Sequence, residues 1–154
     1  MLDFQDMLNQ VECRAALHVQ DLSKCQRRHD RIQYYFFRVF LDSVMLCLCR
    51  STVFTQHGDN NSRFADIYWI RTRAVIKAYM ELIWLECPTQ RCWIFIHNAL
   101  SCALSLGLEV RRTKDTEDMA LLAQFVETLS HTTLCTTFKA YGASVSYLQS
   151  LIDS

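Results

Sequence analysis

Only three glycines and one proline interrupt 154 residues, whereas an average chain carries about 12% of the two together. Tight turns draw on those residues for positive φ angles and for a fixed φ. Their scarcity argues against a β-sandwich, a collagen and a flexible linker, and leaves long helices joined by few loops. With 51% hydrophobic residues there is enough apolar material for a buried core, and the length suits one domain over 1–154. Sixteen basic side chains balance sixteen acidic ones. A free-standing nucleic-acid module normally carries a basic excess, so generic polyanion binding is not expected.

Eight cysteines raise the questions of zinc and disulfides: Cys13, Cys25, Cys47, Cys49, Cys87, Cys92, Cys102 and Cys135. No two are spaced C-x-x-C, and only Cys87 and Cys92 approach the paired-thiolate spacing of structural zinc sites. Residues 1–10 carry acids where a secretory leader would have a positive segment. The expectation is therefore eight reduced thiols acting as small apolar fillers, with no metal and no cofactor. The longest uninterrupted apolar run, Val44 to Cys49, is six residues, against about 18 to 20 for a membrane span. A soluble or peripheral protein without a membrane partner is expected.

Hydrophobic periodicity divides the chain into six helices. The first is read over Leu2–Leu22. After the basic stretch Lys24–Arg31 comes a second in which Ile32, Tyr35, Phe36, Val39, Phe40, Ser43, Leu46 and Cys47 recur at three- and four-residue intervals. Tyr34, Phe37, Leu41, Met45 and Leu48 fill its other faces, so it is expected to be central and enclosed. Gln56–Ser62 reads as a loop. A third helix spans about 63–86, with Ile67, Ala74, Ala78, Leu82 and Leu85 as its apolar stripe, and Pro88 ends it. The fourth, Arg91–Leu106, carries Trp93, Ile96, Leu100, Ala103 and Leu104 on one face and is expected to stop at Gly107. A charged connector, Glu109–Asp115, leads to a fifth helix capped by Thr116, with Met119, Leu122, Phe125, Val126 and Leu129 as its stripe. The sixth lies within His131–Ser154. The fold class is all-α, a compact array of about six helices.

Candidate chemistry is sparse. Gly58, Gly107 and Gly142 lie too far apart to form a phosphate-binding glycine loop. Gly142-Ala143-Ser144-Val145-Ser146 approaches a nucleophile elbow but has Ser146 where the second glycine belongs, in a helical context. The five histidines lack the spacing of helical zinc ligands. Asp115, Glu117 and Asp118 sit at a helix start, where capping accounts for them. Lys24, Arg27, Arg28 and Arg31 form a basic cluster suited to phosphate contact or nuclear import, although Asp30 dilutes it and a solvated helix start is the simpler reading. The aromatics around Tyr34–Phe40 suit either an apolar pocket or ordinary core, and core is the commoner use of that spacing. No catalytic residue is nominated, and the chain is not expected to be an enzyme.

Three stretches bear a family resemblance. They are Arg38–Arg50 (RVFLDSVMLCLCR), Arg73–Leu82 beginning Arg-Ala-Val-Ile, and Trp93–Gly107 (WIFIHNALSCALSLG). In order and spacing they resemble the fungal-specific transcription factor domain, the helical regulatory region that follows the zinc binuclear-cluster motif in fungal regulators. Trp93, His97, Ala99-Leu100-Ser101 and Leu106-Gly107 match best. Cys49 and Ser51 depart from the His and Pro of the first motif, and the second lacks its opening cysteine. The likeness covers about 38–130.

The resemblance implies the distal part of a larger helical regulatory domain, acting in the nucleus in transcription by RNA polymerase II. Its expected roles are dimerisation, contact with the transcription machinery and response to a small-molecule effector. Zinc is implied only for a separate DNA-binding segment, because no cysteines here have the cluster spacing, so no direct DNA contact is expected. Phe36, Phe40, Leu46, Trp93, Leu100 and Leu104 are expected to pack the scaffold. The alternative is a helical protein-interaction adaptor or an apolar-ligand-binding module unrelated to transcription.

Overall fold

The computed structural model describes residues 2–55, 61–87, 92–132 and 139–153, with the side chains of 2–5, 8, 51–55, 61–63 and 139–140 outside that description. Among the described residues the regular structure is entirely helical, without a strand. The helices are α1 (Leu2–Arg14), α2 (Leu17–Gln20), a 3-10 turn (Leu22–Lys24), α3 (Arg28–Thr55), α4 (Asn61–Trp84), α5 (Trp93–Thr113), α6 (Thr116–Ser130) and α7 (Lys139–Ile152). The chain divides into two compact units, Met1–Cys87 and Pro88–Ser154, where the length alone suggested one domain. The expected loop at Gln56–Ser62 falls largely outside the described residues, as do Pro88 and Cys135.

In the first unit the single helix expected over Leu2–Leu22 is broken. Ala16 is extended, and local polar side chains hold the break in place. Gln20 Nε2 donates to the carbonyls of Cys13 (3.1 Å) and Ala15 (2.5 Å) at the end of α1. Asp21 accepts from the amide (2.9 Å) and hydroxyl (2.8 Å) of Ser23, starting the 3-10 turn. Short polar side chains that offer the backbone such partners compete with helix continuation, which apolar periodicity does not register.

The helices α3 and α4 are antiparallel: Arg28, at the start of α3, reaches Leu85 beyond the end of α4, and Asp42 meets Arg71 midway. Val39, Met45, Leu46 and Cys49 of α3 are buried, as are Tyr68, Thr72, Val75, Ile76, Tyr79 and Leu82 of α4. Relative to the expected stripe, the buried face of α4 is turned by about one residue, leaving Ile67, Ala74 and Leu85 half-buried. The hydroxyl of Thr72, inside this core, donates to the Tyr68 carbonyl at 2.8 Å. Within its own unit α3 is not enclosed by the described residues. It packs mainly on α4 and α2, so Phe36 is 40% and Phe40 56% exposed, correcting their assignment to the core. A helix packed chiefly along one side buries one stripe, whatever the hydrophobicity of the rest. Leu46 is buried as expected.

The end of α4 is a Schellman motif. The Cys87 amide donates to the Leu82 carbonyl (3.2 Å) and the Glu86 amide to that of Ile83 (2.8 Å). Glu86 occupies the left-handed position with φ 47°, normally a glycine position because a Cβ there costs about 1 kcal/mol. Glu86→Gly is therefore expected to raise the unfolding free energy of this unit by about 0.5–1 kcal/mol, less the greater unfolded-state entropy of glycine. Chemical denaturation measures this, and a lower stability in the variant would refute it.

The second unit is a three-helix arrangement in which α5, α6 and α7 each touch the other two. Ile96, Ala99, Leu100, Ala103, Leu106 and Val110 of α5 are buried. So are Leu122, Phe125, Val126 and Leu129 of α6, and Leu148 and Leu151 of α7. Gly107 does not end α5, which continues to Thr113 and stops at Lys114 (φ 56°), whose amide donates to Val110 at 2.7 Å. A Cβ at Gly107 would stand 3.1 Å from Cδ1 of both Leu148 and Leu151. The glycine is thus a notch that admits α7, and most of the expected connector is the last turns of α5. The cap of α6 is Asp115 instead of Thr116, accepting from the amides of Glu117 (2.9 Å) and Asp118 (3.1 Å). Trp93, expected in the scaffold, is 65% exposed because the packed stripe of α5 begins at Phe95. Leu100 is buried and Leu104 half-buried.

By length and composition, α3 over Arg28–Arg50 and α5 over Trp93–Thr113 are each apolar enough to cross a membrane, which counting uninterrupted runs did not reveal. Buried core helices pass the same test. In α3 the two interrupting charges, Arg38 and Asp42, both have ion-pair partners.

Candidate functional site

A polar constellation lies along α3 and α4 in the first unit. A groove of about 340 Å³ is lined by Tyr34, Tyr35, Arg38 and Asp42 from α3 and by Arg71, Lys77 and Glu81 from α4, with alanines between. The spacing of Tyr34, Arg38 and Asp42 at four-residue steps puts all three on one side of α3. Arg38 pairs with Glu12 of α1 (2.5 Å), donates to the Gln20 carbonyl (3.2 Å) and stands 5.4 Å from the centre of the Tyr34 ring. Arg71 pairs with Asp42 at 2.6 Å.

Electrostatics follow from burial. Asp42 is only 1% exposed, and desolvation pushes its carboxyl above the ordinary range, partly offset by Arg71 and Arg38. Burial lifts the Tyr35 phenol, and the Glu81 carboxylate that it hydrogen-bonds lifts it further. Burial also works against the Arg38 charge, but Glu12 and Tyr34 outweigh it and hold the pKa above the usual arginine value. Several of these groups hold one another, Arg38 with Glu12 and Tyr34, Arg71 with Asp42, and Tyr35 with Glu81.

A second concavity, about 360 Å³, lies at the start of α3 and is lined by Cys25, Gln26, Arg27, Arg28, Arg31 and Leu85. Three of the four residues of the basic cluster meet here. Lys24 ends the 3-10 turn outside the lining. Arg28 caps α4: Nε donates to the Leu85 carbonyl at 3.1 Å and Nη2 donates to the carbonyls of both Leu85 and Glu86. Asp30 accepts from the amides of Gln26 (3.1 Å) and Arg27 (2.9 Å), the reach-back half of a capping box. Cys25 donates to the His18 carbonyl at 3.1 Å, and burial raises its thiol pKa, with Asp30 adding to the effect.

The other sequence candidates are not brought together. Gly142–Ser146 lies within α7, where the Ser146 hydroxyl donates to the Gly142 carbonyl (3.0 Å) in ordinary helix. Among the described residues seven cysteines are unbridged and no three His, Cys, Asp or Glu side chains cluster as metal ligands. Sequence reasoning missed the Glu12–Arg38 and Asp42–Arg71 pairs. The signal was present as two opposite charges four residues apart inside an apolar helix, Arg38 and Asp42. Charges placed there need partners on neighbouring helices. Comparison with known protein families, curated proteins and solved structures finds no match to this chain.

Proposed function

We propose that this chain is a non-catalytic helical regulatory and dimerisation module of the fungal transcription-factor kind, working in the nucleus through contact with protein. One observation carries the protein-contact part of the reading. Phe36 and Phe40 lie one turn apart on α3, 40% and 56% exposed, beside a core that already buries the opposite stripe. Adjacent exposed aromatics on a rigid helix are typical anchors of helix-mediated association. The connection to transcription rests on the resemblance over 38–130.

Covering two partly exposed rings contributes roughly 1 kcal/mol each. Phe36→Gln/Phe40→Gln is therefore expected to weaken self-association at least tenfold, while circular dichroism and melting stay near those of the parent. Light scattering of the full chain over a concentration series reads this directly. A chain that stays monomeric throughout, or a double variant that dimerises as well as the parent, overturns the dimerisation reading. Fusion to a DNA-binding domain that needs a dimer to hold its operator tests the transcriptional part, which fails if the fusion leaves the reporter unchanged. A helical adaptor unrelated to transcription would dimerise through the same face yet be inert in that assay.

A further inference from the structure

We propose that the pocket at the start of α3 is an anion site for a small phosphate ester or pyrophosphate-type ligand, held by the guanidinium groups of Arg27 and Arg31. The geometry supplies the first reason. Arg27 stands at the N-cap of α3 and Arg31 follows in its first turn, the Arg31 amide donating to the Arg27 carbonyl at 3.2 Å, and both residues line the 360 Å³ pocket with Arg28. The second is that this placement is unfavourable without an anion. The N-terminus of a helix carries a partial positive charge and favours acids, so cations there are destabilising. The first turn of α3 nonetheless carries Arg28 and Arg31, with Lys24 and Arg27 just before it and Asp21 and Asp30 as the acids nearby. Asp30 is engaged with the Gln26 and Arg27 amides.

Arg28 has a separate duty that fixes the pocket wall. By donating to the carbonyls of Leu85 and Glu86 just past α4 it offsets the negative end of that helix, which would otherwise repel an anion. The Cys25 thiol on the same wall, its pKa raised, adds no negative charge. Among the described residues neither Arg27 nor Arg31 has an ion-pair partner. Two guanidinium forks without a salt-bridged carboxylate match the oxygens of a phosphate group, which they bind through paired hydrogen bonds.

Isothermal titration of the full chain with inorganic pyrophosphate, at an ionic strength held constant with sodium chloride, tests the site. Saturable one-to-one binding is expected, weakened at least tenfold in Arg27→Gln/Arg31→Gln and unchanged in Arg111→Gln/Arg112→Gln, a basic pair on α5. Arg28 is kept because of its capping role. Circular dichroism confirms that the double variant folds, and Arg27→Lys/Arg31→Lys, which keeps the charge but not the fork, is expected to bind with intermediate affinity. Absence of saturable binding overturns the proposal. So does a double glutamine variant that retains affinity within twofold, or equal loss in the α5 control.

Discussion

Arg71→Met is expected to destabilise the first unit by about 3 kcal/mol or more at neutral pH, the cost of leaving a buried charge without its partner. Arg71 keeps 30% of its side chain in solvent, whereas the Asp42 side chain keeps 2%, so the loss falls on the carboxylate. The sign with pH follows from the direction of the Asp42 shift. A carboxyl whose pKa is raised in the folded state binds its proton more tightly there than in the unfolded chain. Its contribution to stability is full below the ordinary carboxylate pKa and is lost as pH rises through the raised value. Removing Arg71 raises that value further, so stability of the variant should fall more steeply with increasing pH than that of the parent. Asp42→Asn removes the titration and should flatten the dependence. Urea denaturation of the three proteins between about pH 4 and 8 decides the matter. A cost below about 1 kcal/mol at neutral pH, typical of a solvent-screened pair, would show that Asp42 is not desolvated as described.

Gly107→Leu should be comparably damaging in the second unit, by about 3 kcal/mol, because its side chain would occupy the space of Leu148 and Leu151. Both leucines are core residues, so neither can swing into solvent without losing its own burial. Gly107→Ala separates two opposing terms. The added methyl improves helix propensity by up to about 1 kcal/mol, and its 3.1 Å approach to two leucine methyls costs a similar amount. Near-neutrality for alanine together with a large loss for leucine is the expected pattern. Equal tolerance of both, measured by thermal unfolding, would mean that α7 does not seat on this face of α5.

Which parts of this architecture could be read from sequence depends on what each signal measures. The existence and approximate extent of α3, α4 and α6 were legible because their apolar stripes are long. The buried Leu46, Leu100, Leu122, Phe125 and Leu129 were found in that way. Periodicity does not say how many neighbours a helix has. Phe36, Phe40 and Trp93 therefore looked like core and are exposed. Nor does it distinguish two uses of glycine: Gly107 carries the residue signature of a helix stop, yet its backbone is helical and its missing side chain admits another helix. The break after Arg14 depends on the Gln20 and Asp21 side chains finding nearby backbone partners, a competition invisible to an apolar pattern. The basic cluster was legible as residues. Its gathering into a pocket with Leu85 required α4 to return beside the start of α3.

The closing of α4 by Arg28, Glu86 and Cys87 bears on modularity. The terminal carbonyls of Leu82, Ile83 and Leu85 all find donors within Met1–Cys87. Those three carbonyls would keep their donors in a polypeptide severed after Cys87. The segment boundary thus falls directly after a helix stop whose fastening is made by residues on its own side of the division.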